Sequence, residues 1–102
     1  MKYDILTIAY FDKQFKRLSK KYPSLKSDLT CLLRQLIATP RQGTPLGHDC
    51  YKIRLSITSK GKGKSGGARV ITYVTVQGNS IYLLSIYDKS ECNLTLASYT
   101  QN

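Results

Sequence analysis

The hydrophobic and polar positions of the first quarter of the chain change from a strand pattern to a helix pattern. Residues 2–8 alternate as a strand does, with apolar side chains on both faces, which predicts a central position in a sheet. From Asp12 onward the apolar positions follow helical spacing, and Pro23 ends that helix. The apolar positions concerned are Phe11, Phe15 and Leu18.

A second helix is predicted after this break, capped by Ser24 or Tyr22. Asp28 falls in its first turn, where a negative charge suits the helix dipole. The helix carries a continuous apolar stripe and ends at Thr39-Pro40. The stripe consists of Leu25, Leu29, Leu32, Leu33, Leu36 and Ile37. Two such helices in succession predict an antiparallel hairpin packed on a sheet.

The second half of the chain predicts a loop followed by three strands. Prolines and glycines punctuate residues 40–49, which is typical of a loop. Strands follow at about 51–57, 68–76 and 80–87, and Gln77-Gly78-Asn79 joins the last two as a tight hairpin. A short helix is expected near the C-terminus. The order β-α-α-β-β-β predicts an α+β fold, with a four-stranded antiparallel or mixed sheet, in one domain over residues 1–102.

Composition adds a class of partner. A formal net charge of +10 on 102 residues favours phosphate-rich partners, although a basic surface that only aids solubility is an alternative. No apolar run reaches the ~18 residues of a membrane span, and we expect neither a membrane partner nor a secretory signal. The cysteines (Cys31, Cys50 and Cys92) are odd in number and widely spaced, which disfavours disulfides and zinc. We therefore expect a cytoplasmic protein.

The segment from Tyr51 to Arg69 concentrates the charge. It holds six of the sixteen basic residues, four of the seven glycines and no acid, which predicts a surface for a polyanion, most plausibly RNA. Strand alternation places Lys52 and Arg54 on one face, about 7 Å apart, which is close to the spacing of successive phosphates. Arg69 begins the next strand, and Tyr87 with Lys89 ends the last one. These strand ends are expected to converge on one face.

Other kinds of site can be weighed against this interpretation. Gly61-x-Gly63-x-x-Gly66 matches a dinucleotide-binding pattern, and Gly63-Lys64-Ser65 resembles the end of a Walker A loop, but a β-branched strand follows instead of a helix. His48 beside Asp49 is a candidate general acid, although a lone loop histidine is more often structural. RNA cleavage requires neither histidine nor metal, because the 2′-OH of RNA is itself a nucleophile.

The residues from Asp49 to Arg54 and from Ser85 to Glu91, in this order of elements, resemble the RelE/ParE superfamily of bacterial toxins. The segment from Gly61 to Ile71 resembles its HigB-type branch. The resemblance implies a type II toxin: a ribosome-dependent mRNA endoribonuclease that acts in the ribosomal A site by 2′-OH attack, with no metal or cofactor. It also implies a helix-turn-helix antitoxin. A ParE-like inhibitor of DNA gyrase and a catalytically silent RNA-binding module remain alternatives.

The same resemblance implies roles for individual residues. Lys52 and Arg54 match the family's basic pair, with Lys52 as the candidate base. Arg69 would stabilise the phosphorane, and Lys89 would act as acid or phosphate clamp. Tyr87 is a further candidate, which would stack on a base in place of the family's tyrosine. Ribosomal RNA would be bound by further cations, at Lys60, Lys62, Lys64, Lys16, Arg17 and Lys20. The chain departs from RelE beyond the last strand, where RelE has a catalytic tyrosine. Leu94-Thr95 occupies that neighbourhood, and Tyr99 is more distant.

Overall fold

A computed structural model describes residues 3–60, 67–75 and 77–91. The elements are β1 (Asp4–Thr7), α1 (Ala9–Lys21), α2 (Leu25–Ala38), β2 (Thr44–Gly47), β3 (Cys50–Leu55), β4 (Ala68–Thr75) and β5 (Ser80–Asp88). Single 3-10 turns follow β3 at Thr58–Lys60 and β5 at Lys89–Glu91. The short C-terminal helix expected from the sequence lies outside the described residues. No helix within the described ranges is long and apolar enough to cross a membrane.

Within the described residues the sheet has five strands in the order β1-β5-β4-β3-β2, and the predicted α+β class is confirmed. Only β1 runs parallel to its neighbour, while the other pairs are antiparallel. The extra strand is β2, in the segment predicted as a loop. Pro45 lies in this strand. Proline has no N–H to donate, and it is tolerated here because an edge strand pairs on one side only. The prolines and glycines of residues 40–49 predicted a loop and did not reveal this short edge strand.

β1 lies at the other edge of the sheet, so its predicted central position was wrong. Ile5 pairs with Ile81 and points to the side covered by the helices, whereas Leu6 pairs with Tyr82 on the opposite side and is 41% exposed. The alternation in the sequence was real, but apolar residues on both faces do not require two neighbouring strands. One face of this strand is left in solvent.

The helical hairpin packs on one face of the sheet, with α1 against β5 and α2 against β3. α1 ends before Pro23, as predicted, but begins earlier, at Ala9. On α2 the buried residues recur at helical spacing, at Leu25, Leu29, Leu32 and Leu36. Ile37 was expected in this stripe and is 46% exposed, because it lies about 100° around the helix from Leu36.

α1 also covers part of a strand edge. β1 pairs with β5 only as far as Leu83, which leaves the next backbone groups of β5 without a strand beside them. The side-chain oxygen of Gln14 accepts a hydrogen bond from the N–H of Ile86 at 3.0 Å and one from the Ser85 hydroxyl at 3.1 Å. A helix side chain thus completes the hydrogen bonding that β1 leaves unfinished.

Candidate functional site

The sheet has a second face, opposite the helices, which we call the open face. On the helix side, the paired residues Ile53, Val70 and Ile86 are buried. Because side chains alternate along a strand, Lys52 and Arg54 point the other way, and both are exposed. Both described helices pack on the first face. Lys52 and Arg54 therefore lie on the open face.

Three of the predicted site residues form one row across the open face. Arg54 on β3 pairs with Arg69 on β4, and Arg69 pairs with Tyr87 on β5. Directly opposed residues have Cβ atoms about 5 Å apart, so these side chains are immediate neighbours. Lys52 lies in the adjacent row, opposite Ile71. The structure thus brings Lys52, Arg54, Arg69 and Tyr87 together.

The two arginines are paired across β3 and β4, and no carboxylate of the described residues forms an ion pair with either. Arg69 is only 8% exposed, and its Nη1 donates a hydrogen bond to the carbonyl of Ala68 at 3.0 Å. Within the described part of the chain, neither Arg54 nor Arg69 forms an ion pair. Like charges directly opposite one another on a sheet are destabilising. An anion between the two guanidinium groups would remove that repulsion and accept their forked hydrogen bonds.

Lys89 lies at the end of this row, just beyond β5. Its backbone N–H donates to the carbonyl of Gly67 at 3.1 Å. A side chain at position 67 would overlap the carbonyl oxygen of Leu55, so only glycine allows this approach. The start of β4 is thereby held between the ends of β3 and β5. This contact fixes the backbone positions of Arg69, the second residue of β4, and of Lys89, the residue after β5.

A carboxylate on α2 anchors the turn that follows β3. Asp28 accepts hydrogen bonds from the Thr58 hydroxyl at 2.7 Å, the Thr58 N–H at 3.0 Å and the Ser24 hydroxyl at 2.7 Å. The Ser24 oxygen in turn accepts from the N–H of Ser59 at 2.8 Å. Partial burial acts to raise the pKa of Asp28, but these hydrogen bonds outweigh it and leave the pKa below the usual value. We call this group the Asp28 anchor.

A second carboxylate anchors the turn that follows β5. Asp88 is buried and accepts hydrogen bonds from the Tyr22 hydroxyl at 2.5 Å and the Ser90 N–H at 3.0 Å. Tyr22 and Ser24 both belong to the connection between the helices, so that connection holds both turns at the end of the sheet that carries the arginine row. Sequence reasoning missed both anchors. The only signal was that Tyr22, Ser24 and Asp28 cluster at a predicted helix start.

His48 lies far from this row. It occupies the turn between β2 and β3 with a φ of 54°, and the four strand positions from Cys50 to Arg54 alone span about 13 Å. That end of the sheet is held instead by Arg41, which donates to the Tyr51 hydroxyl at 2.9 Å and to Asp49 at 3.3 Å. No group of three potential metal ligands is found among the described residues.

The remaining predicted cations are not part of the row. Lys16, Arg17 and Lys20 are exposed on α1, on the opposite side of the sheet from the open face. Lys60 lies in the turn after β3. Lys62 and Lys64 lie outside the described residues, as do Leu94, Thr95 and Tyr99.

A cleft of about 500 Å³ borders the row on its β3 side. It lies between α2 and the last residues of β3, and Asp28, Gln35, Arg54 and Ser56 are among its lining residues. β2 pairs with β3 only from Cys50 to Lys52, so no described strand covers the edge of β3 beyond that point. Arg54 therefore stands at the border between the cleft and the open face.

The same architecture occurs in solved protein structures. No protein-family model matches the sequence. Among solved structures, a mutant Escherichia coli toxin RelE in the free state aligns with a TM-score of 0.67 and 21% identity, over 95% of this chain and 93% of that one. RelE in the intact E. coli RelBE toxin–antitoxin complex aligns with a TM-score of 0.65 and 21% identity, over 84% and 95%. The isolated E. coli RelE toxin gives 0.64 and 19%, over 96% and 98%. The helical hairpin and the mixed sheet together have the fold seen in these E. coli RelE structures.

Proposed function

We propose that this protein is the toxin of a type II toxin–antitoxin system and cleaves mRNA on the ribosome. One observation carries the proposal: Arg54 and Arg69 oppose each other on the open face of a RelE fold, with Lys52 and Tyr87 beside them. An arginine pair without a carboxylate among the described residues suits a phosphodiester, whose charge increases in the transition state.

The proposed reaction uses the nucleophile within the RNA. The 2′-oxygen attacks the adjacent phosphorus, the bond to the 5′-oxygen breaks, and the products are a 2′,3′-cyclic phosphate and a 5′-hydroxyl. Lys52 takes the proton of the 2′-OH, and Lys89 returns a proton to the leaving oxygen. Arg54 and Arg69 donate hydrogen bonds to the non-bridging oxygens of the phosphorane. Tyr87 stacks on a neighbouring base and orients the phosphate for in-line attack. We propose no metal or small-molecule cofactor.

The proposed partners follow from the same fold and charge. E. coli RelE forms a complex with its antitoxin, and we propose a helix-turn-helix antitoxin for this chain as well. The net charge of +10 favours encounter with ribosomal RNA. We propose that the loop cations and those on α1 bind the ribosome, while the open face receives mRNA in the A site. The proposed compartment is the cytoplasm, where mRNA is translated.

The deciding experiment maps mRNA 5′ ends after expression in a bacterial host. We expect cuts in phase with codons, and a loss of about 100-fold or more in cutting for Lys52→Ala and Arg69→Ala, because each removes a group that acts in the transition state. Lys26→Ala removes an exposed cation on α2, outside the proposed binding surfaces, and as the matched control it should cut normally. Intact mRNA with induction of the DNA damage response would contradict the proposal and favour gyrase inhibition.

A further inference from the structure

The open face carries an aromatic pair at the end away from the arginine row. Tyr73 on β4 pairs with Tyr82 on β5, and their ring centroids are 6.1 Å apart with 36° between the ring planes. Tyr73 is opposite Cys50 on β3, and Tyr82 is opposite Leu6 on β1. These four residues form a second row, parallel to the arginine row. Neither the fold nor the proposed chemistry accounts for it.

The aromatic pair is not part of the hydrophobic core. Tyr73 is 37% exposed and Tyr82 is half-buried. The buried neighbours of these tyrosines along the strands, Thr72, Val74 and Ile81, point to the helix side. No described helix covers the two rings on this face. They offer a flat surface to a ligand.

One described cation lies between the aromatic pair and the arginine row. Arg69 and Tyr73 are four residues apart on the same face of β4, a separation of about 13 Å. Lys52 sits midway, on the neighbouring strand. The open face thus presents phosphate-binding groups and ring faces along one line, at a separation that spans more than one nucleotide.

We propose that Tyr73 and Tyr82 form a base-stacking platform for single-stranded RNA whose phosphates lie on Lys52 and the arginine row. The identity of the ligand as mRNA rests on the proposed function. Single strands fit better than duplexes, because their bases are free to stack on a side chain. A partner protein fits less well, since the positive charge between the two rows matches a polyanion.

The platform has a definite role in this arrangement. Stacking on an aromatic ring tolerates every base, so the platform increases affinity without selecting a sequence. Because the stacked base lies away from the reacting phosphate, it is held equally in the ground state and the transition state. Loss of the platform should therefore raise KM and leave kcat unchanged.

The test measures binding with an RNA that cannot be cleaved. Binding of the full chain to a single-stranded 2′-O-methyl RNA of about ten nucleotides, which has no free 2′-OH, is followed by fluorescence anisotropy. We expect Tyr73→Ala and Tyr82→Ala each to raise Kd by about tenfold. Tyr73→Phe keeps the ring and should bind as the parent protein does. Tyr10→Ala, an exposed tyrosine on α1, controls for loss of any surface ring.

The outcomes separate the platform from the nuclease. If Tyr73→Ala binds the oligonucleotide as tightly as the parent protein at the same melting temperature, the platform is wrong, even where Arg69→Ala still abolishes cutting. If Tyr73→Ala weakens oligonucleotide binding but the parent protein leaves mRNA intact in cells, the platform holds and the proposed nuclease is wrong. A Tyr73→Ala effect on antitoxin binding with unchanged oligonucleotide binding would make this face a protein interface and overturn the platform.

Discussion

Thr72 places a polar hydroxyl group in the hydrophobic core. It is fully buried, between Tyr51 on β3 and Leu83 on β5, and faces the helices. Its hydroxyl oxygen has no hydrogen-bond partner among the described residues. A buried hydroxyl without a partner loses its hydration and gains nothing in return.

Replacing Thr72 by valine should therefore stabilise the protein. Valine has nearly the same shape, so the change removes only the desolvated oxygen, and we expect the free energy of unfolding to rise by about 1 kcal/mol. Thr72→Ser keeps the hydroxyl and removes the methyl group, and should lower it by about 1 kcal/mol. Urea denaturation of the three proteins measures both effects. A valine variant less stable than the parent would show that the hydroxyl makes a bond in solution.

At the scale of elements, the Asp28 anchor joins a helix to a strand end. The Asp28 carboxylate lies in the first turn of α2, where it accepts a hydrogen bond from Ser24. It also accepts two hydrogen bonds from Thr58 in the turn after β3, so one side chain stabilises two elements. Because its pKa is lowered in the folded protein, the ionised form contributes stability above the unfolded value of about 3.9. That contribution is lost as the pH falls through the folded pKa.

The prediction for the anchor compares Asp28→Asn with Asp12→Asn. Asp12 occupies the first turn of α1, so its replacement removes the same helix-dipole interaction without a turn to cap. At pH 7 we expect Asp28→Asn to cost about 1 kcal/mol of unfolding free energy and Asp12→Asn distinctly less. As the pH falls through the lowered pKa of Asp28, the gap between Asp28→Asn and the parent should narrow. A gap that stays constant over the whole acid range would mean that the carboxylate charge is not what stabilises the turn.

The elements also show where sequence patterns were sufficient. Strand alternation in 51–57 correctly separated Ile53 from Lys52 and Arg54, because one face of β3 is packed and the other is not. Turn residues did not reveal β2, since an edge strand with proline obeys the same local preferences as a loop. The anchors were not predictable from periodicity, because Tyr22 and Asp88 meet only through the tertiary fold.

At the scale of the whole molecule, the positive charge is divided between two sides of the sheet. The open face carries Lys52 and the arginine row, whereas Lys16, Arg17 and Lys20 are on α1, behind it. Both groups were predicted from the sequence as contacts with nucleic acid. The fold shows that they lie on opposite sides of the sheet. A single extended RNA strand on the open face cannot reach both. A ribosome is large enough to do so.

Salt dependence should distinguish the two groups. We expect Lys16→Ala with Lys20→Ala to reduce the slope of log K against log salt for ribosomes by about 1–2, since each phosphate contact contributes nearly one. The same double variant should leave the slope for a short single-stranded RNA unchanged. Lys52→Ala should reduce the RNA slope. An RNA slope that falls with the α1 variant would contradict the separation of the two sides.

The parallel pairing of β1 with β5 has a consequence for how the protein is made. Gln14 and Ile86 are 72 positions apart, and Tyr22 and Asp88 are 66 apart, so the first elements meet their partners only when nearly the whole chain exists. Folding that depends on such distant contacts is slow relative to local structure. A nascent chain therefore has no assembled arginine row until β5 has left the exit tunnel.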